Sequence, residues 1–139
     1  MPNRHKSREL VVQFVYQWSI NPCELRELAA SAEFFWNTNT KLSDENKEYF
    51  LRVGIGAITK IPAIDERIES LLKNWKMSRV EKVDLAILRV AIFELNFEES
   101  EDKPDLAVVI DEAVEIAKKF GAKDSPSFVN GILDKAALK

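Results

Sequence analysis

Residues 78–95, SRVEKVDLAILRVAIFEL, decide the fold. Val80, Val83, Ile87, Leu88, Ala91, Ile92 and Leu95 recur at steps of three and four, the period of a helix. They cover a wide face, and such a face must be covered by several neighbours. The segment is therefore expected to be a central helix. Ser78 and Glu81 stand in the S-x-x-E spacing of a capping box, in which hydroxyl and carboxylate satisfy the first free N–H groups.

Helical periodicity continues on both sides, and nothing alternates with period two. Val11, Phe14, Val15 and Trp18 form a first stripe. Asn21-Pro22 is expected to cap and open a second helix presenting Leu25, Leu28, Ala29, Ala32, Phe35 and Trp36. NTNTK reads as a loop. Ser43 then caps a third helix with Tyr49, Phe50, Val53 and Ala57 on its buried line. Gly54 and Gly56 inside it mark either close helix approach or fraying, at up to about 1 kcal/mol each. Pro62 opens a fourth helix with Ile64, Ile68, Leu71, Leu72 and Trp75.

After the acidic EESED and Pro104, a sixth helix carries Val109, Ile110, Ala113, Ile116, Ala117 and Phe120, with Gly121 placed to end it. The last segment reads two ways. Asn130-Gly131 between FV and IL is a hairpin signal. Ser125-Pro126 and apolar positions 128, 129, 132, 133 and 136 favour a helix, and helix is the reading taken. Gly131 then sits mid-helix, where a neighbouring helix is expected to pack closely over it. The fold class is all-α: about seven helices in one domain, 1–139, with subdomains 1–60 (three helices) and 61–139 (four) sharing a core.

Composition excludes several classes. With 139 residues and 46% hydrophobic content the chain can bury a core. No apolar run reaches the length of a membrane span, and the N-terminus lacks a secretory h-region. One cysteine, Cys23, precludes an internal disulfide and suits a cytoplasmic setting. A single His beside a single Cys gives no usual zinc site, no glycine-rich phosphate loop is present, and neither metal nor cofactor is expected. No catalytic residue is assigned. Glu112 and Glu115 read as a solvated face and an ion-pair partner for Arg89 rather than as an acid–base pair.

Charge is uneven. Against 20 Lys+Arg and 23 Asp+Glu overall, the first eight residues hold Arg4, Lys6 and Arg8, the only histidine, His5, and no acid. Arg4, Arg8, Val12 and Tyr16 follow each other at i, i+4 on one helix edge. Cations ending in an aromatic ring suit single-stranded RNA, whose phosphates take the charge and whose bases stack. Positive charge at a helix N-terminus also opposes the helix dipole, which argues against a purely stabilising role.

Three stretches together carry a resemblance: RHKSREL…QFVYQW, WKMSRVEKVDLAILRVAIFEL and VVIDEAVEIAKKFGAKDSPSFVNGILDKAA. In order and over essentially the full chain, they resemble the NusB family of transcription antitermination factors. The resemblance implies a non-enzymatic protein that binds boxA-type RNA of nascent ribosomal transcripts together with ribosomal protein S10 (NusE). That pair helps RNA polymerase enter a termination-resistant antitermination complex. It further implies RNA contacts at Arg4, His5, Lys6 and Arg8, with Asp124, Phe128 and Asn130 bordering the RNA surface. His5 stands where the family frequently has Arg. Tyr16, Glu81 and Asp84 fall at the face for S10, where acidic groups suit a basic protein. A homodimer that masks the RNA edge stays open. Two other classes are a helical protein–protein adaptor without RNA binding and the RNA-binding domain type found in rRNA methyltransferases.

Overall fold

The computed structural model describes residues 4–39, 42–73, 76–100 and 103–138, with backbone alone at 38 and 39. All regular structure among them is helical: α1 (Arg4–Ile20), α2 (Leu28–Asn39), α3 (Asp44–Phe50), α4 (Gly56–Thr59), α5 (Ile61–Leu71), α6 (Lys82–Ile92), α7 (Leu106–Phe120) and α8 (Ser125–Leu138). A π-helical turn, Leu51–Ile55, joins α3 to α4 without a break, so the eight segments make the seven helical bodies that the spacing predicts. α6 packs against α1, α5, α7 and α8, the central position its wide apolar face requires. One apolar core runs from Leu10 to Ala136, and α1 lies on α3 as well as on α6.

Two helix starts depart from expectation. Asn21-Pro22 does not start the second helix. The Asn21 N–H closes α1 on the Gln17 carbonyl, the chain extends through Cys23, and Glu24 forms a capping box with Glu27 before α2. Leu25 is consequently exposed. Within NTNTK, α2 runs on through Asn39, while Thr40 and Lys41 lie outside the described residues. The Ser78–Glu81 box does not form either. Ser78 belongs to a 3-10 turn, Met77–Arg79, and Glu81 is itself the cap residue of α6. Ser43 caps α3 as expected, accepting the Asn46 N–H at 3.2 Å. Trp36 is buried, Trp18 donates its indole N–H to the Cys23 carbonyl, and Trp75 lies outside the described residues.

Three of the four glycines have distinct surroundings. At Gly56 a Cβ would stand 2.5 Å from the Phe93 ring, so this glycine allows the close approach of α4 to the end of α6. Gly121 ends α7 without the left-handed backbone of the usual C′ glycine. Its φ is −92°, and what requires glycine is Ser125, whose side chain would lie 2.6 Å from an added Cβ. Over Gly131 nothing approaches within 4 Å, so the expected helix contact is absent and the residue opens to solvent. The last segment is nevertheless helix, with Val129, Ile132, Leu133 and Ala136 buried.

Candidate nucleic-acid interface

The first turns of α1 lie over α3 and α7, and their cations meet carboxylates that come from below. Arg8 is the most enclosed. Its Nε and Nη2 donate to the two Glu94 oxygens at 2.9 and 3.2 Å, and its Nη1 donates to Glu112 at 2.9 Å. Tyr49 adds a hydroxyl to the same Glu94 at 3.1 Å. Burial works against the guanidinium charge, but the hydrogen bonds and charge of Glu94, with Tyr49 and Glu112, outweigh it and raise the Arg8 pKa. Burial and the Glu94 charge push the Tyr49 hydroxyl well up. Arg8 is only 5% exposed, and its guanidinium faces Glu94 and Glu112 rather than the surface on which an RNA contact was expected. The i, i+4 column enters the core at Arg8 and Val12 and re-emerges at Tyr16.

The remaining tip residues face outward. The Arg4 guanidinium lies 4.2 Å from the Tyr49 ring centre and donates to Asn46 at 3.4 Å. His5 stands between two carboxylates, Nδ1 at 2.8 Å from Glu112 and Nε2 at 3.0 Å from Glu9. Lys6 is half exposed, with its Nζ 3.8 Å from Glu9. Glu9 itself is 4% exposed and also receives Lys119 of α7 at 3.1 Å. Lys6 and Lys119 thus lie exposed over the buried Glu9, with Glu112 partly exposed beside His5.

The other predicted residues gather elsewhere. Glu81, Asp84, Asp124 and Phe128 line one cleft of about 340 Å³ with Arg79, Val80, Ala122 and Ser125. Ten residues separate Asp84 from Glu94 and Ala122 from Glu112, so the cleft lies roughly 15 Å along α6 and α7 from the Arg8 cluster. α1 spans the two ends. Arg8 meets Glu94, Val12 shares a pocket with Ile87 and Val90, and one more turn carries Tyr16, exposed, toward the start of α6. Asn130 is exposed on α8, where its amide reaches Asp134 at 3.4 Å. Arg89 pairs with Asp65 of α5 at 2.8 Å, not with Glu112 or Glu115. Among the described residues no group of three or more His, Cys, Asp and Glu side chains is placed to hold a metal, and no helix is long and apolar enough to cross a membrane.

The family model described as "NusB family" matches residues 5–138. The chain belongs to the NusB family. A transcription antitermination protein NusB of Clostridium novyi (strain NT) is 39% identical over 131 residues, covering 94% of this chain and 95% of its own length. The T. maritima NusB structure superposes with a TM-score of 0.83 at 32% identity, over 100% of this chain and 94% of that one. A chain in a crystal structure of antitermination factors NusB and NusE with double-stranded RNA shares the fold, with a TM-score of 0.82 over 97% and 96% of the two chains at 24% identity.

In this NusB-family chain the residues missed by sequence reasoning are the carboxylates under the tip and the lysine beside it: Glu9, Glu94 and Lys119. Glu94 carried a signal, a carboxylate inside the apolar run 90–95, which calls for a buried cation. Glu9 and Lys119 carried none, because their meeting depends on how α1 lies against α7.

The cleft has a titrating floor. Asp84 is buried and its Oδ1 has no hydrogen-bond partner. Burial raises its pKa, Ser125 opposes the rise through a hydrogen bond, and the Glu81 charge adds to it. A carboxyl raised in the fold contributes stability that is complete below its unfolded value, about 3.9, and is lost as pH rises through the folded value. Asp84→Asn cannot ionise. It is expected to melt as wild type does at about pH 3 and a few degrees higher at about pH 7. An equal difference at both pH values, read by thermal circular dichroism, contradicts the burial argument.

Proposed function

We propose that this chain acts as a transcription antitermination factor that binds boxA-type RNA of nascent ribosomal transcripts together with an S10 (NusE) partner, as a binding factor in the cytoplasm and not as a catalyst. The observation that carries the reading is the cationic tip. Lys6 is exposed above the buried Glu9 and Arg4 lies at the rim on the Tyr49 ring, which gathers two cations at the start of α1 where phosphates would meet them. The curated relative named above is a transcription antitermination protein, and a chain of the same fold is found with NusE and RNA, which supports the pairing. The RNA polymerase antitermination complex is the assembly these partners serve.

The two partners take different ends. Arg4, Lys6 and an accompanying His5 meet RNA. Tyr16, Glu81 and the cleft above Asp84 meet the basic S10 partner, with Asp124 and Phe128 on the cleft wall where the two ligands adjoin. A gel shift with boxA-type single-stranded RNA tests this. The chain alone is expected to retard the RNA weakly and the chain with S10 strongly. RNA mobility unchanged by both together would reject the reading.

A further inference from the structure

Lys119 belongs to none of the groups assigned so far, yet it completes the cationic layer over Glu9. We propose that Lys119 is a phosphate-binding residue in the middle of a single-stranded RNA track, which follows the α1–α7 seam from Arg4 and Lys6 to Phe128. This rests on the RNA-binding reading above and specifies the path of the strand.

The placement comes first. Lys119 Nζ reaches across the seam to both Glu9 oxygens, at 3.1 and 3.4 Å, and Glu9 also faces His5 and Lys6. The carboxylate is buried, whereas the Lys119 side chain is 54% and the Lys6 side chain 50% exposed. An ammonium has three donors, and one carboxylate below it does not exhaust them. The immobilised head is thus held ready for an anion from above.

A ring accompanies it. Phe120 is 38% exposed and its ring centre lies 5.3 Å from Lys119 Nζ. A cation beside an accessible ring is the pairing that single-stranded nucleic acid uses, phosphate on one and base on the other.

The spacing completes the case. Midway along α7, Glu112 touches His5 and Arg8; past the helix's C-terminal end, Ala122 walls the cleft with Asp124 and Phe128. The ten residues between span roughly 15 Å, and Lys119 stands on that span. One strand can then reach both the tip and Phe128. Lys118 pairs instead with Glu115 of its own helix, at 3.2 Å.

The test measures the affinity of the full chain with S10 for a short boxA-type single-stranded RNA across a salt series. Lys119→Gln is expected to weaken binding about five-fold at about 0.1 M salt and to make the log–log salt slope shallower by about 0.7, one phosphate contact. Lys119→Arg should keep both, and Lys118→Gln should stay within about two-fold of wild type. The slope separates an RNA contact from a purely structural one, since loss of the Glu9 pair lowers the folded fraction without removing a phosphate contact. Equal weakening by Lys118→Gln and Lys119→Gln, or an unchanged slope for Lys119→Gln, overturns the proposal. If Arg4→Ala/Lys6→Ala weakens binding and Lys119→Gln does not, the tip stands and the track falls. If neither does, both fall.

Discussion

Arg8→Ala is expected to destabilise the fold by about 3–5 kcal/mol, lowering the melting temperature by roughly 10–20 °C. The reason is what it leaves behind. Glu94 is 1% exposed and takes two of the three Arg8 hydrogen bonds, so without the guanidinium a carboxylate charge stays buried with only the Tyr49 hydroxyl to meet it. A charge left alone in the interior costs far more than the pair contributes. Removing both charges should therefore restore much of the loss, and Arg8→Met/Glu94→Leu is expected to melt well above Arg8→Ala. Thermal unfolding of the three proteins checks this. An Arg8→Ala protein that melts within about 3 °C of wild type would show that the buried pair carries little.

Arg4→Ala/Lys6→Ala should do the opposite: leave the fold and abolish most RNA binding. Lys6 stands on the surface, and Arg4 contributes a half-buried contact with the Tyr49 ring, worth about 0.5–1 kcal/mol. The expected loss of melting temperature is a few degrees. RNA affinity should fall roughly ten- to fifty-fold at about 0.1 M salt, because two of three phosphate contacts are gone. S10 binding, which uses the far end of α6, should persist. A matched loss of RNA and S10 binding would point to misfolding and not to a missing contact.

These two variants mark where the sequence was readable. Residues 78–95 could be placed at the centre because a face carrying Ile87, Leu88, Ala91 and Ile92 has no other stable environment, and α6 is that helix. Helical spacing likewise put Arg4 and Arg8 on one edge. What spacing could not reveal is depth. The same edge passes from the rim at Arg4 to the interior at Arg8 within one turn, because the π-helical turn after α6 brings Glu94, and α7 brings Glu112, to the second residue and not the first. The start of the second helix was misplaced because Asn21 satisfies the local preference for a cap, whereas its N–H closes α1 and the reciprocal Glu24–Glu27 contacts open the next turn. Gly131 misled for another reason: a mid-helix glycine announces a cost, not what offsets it. The cleft was half legible. Glu81, Asp84, Asp124 and Phe128 were each singled out, but only the antiparallel lie of α6 and α7 brings the start of one beside the end of the other.

Three surface cations, Arg4 on the Tyr49 ring and Lys6 and Lys119 over the buried Glu9, are expected to engage RNA phosphates. The most direct measurement is the salt dependence of boxA-type RNA affinity for the wild-type chain with S10. Three contacts on a single strand predict that log K falls with log salt at a slope of about −2; a slope near zero would contradict the claim.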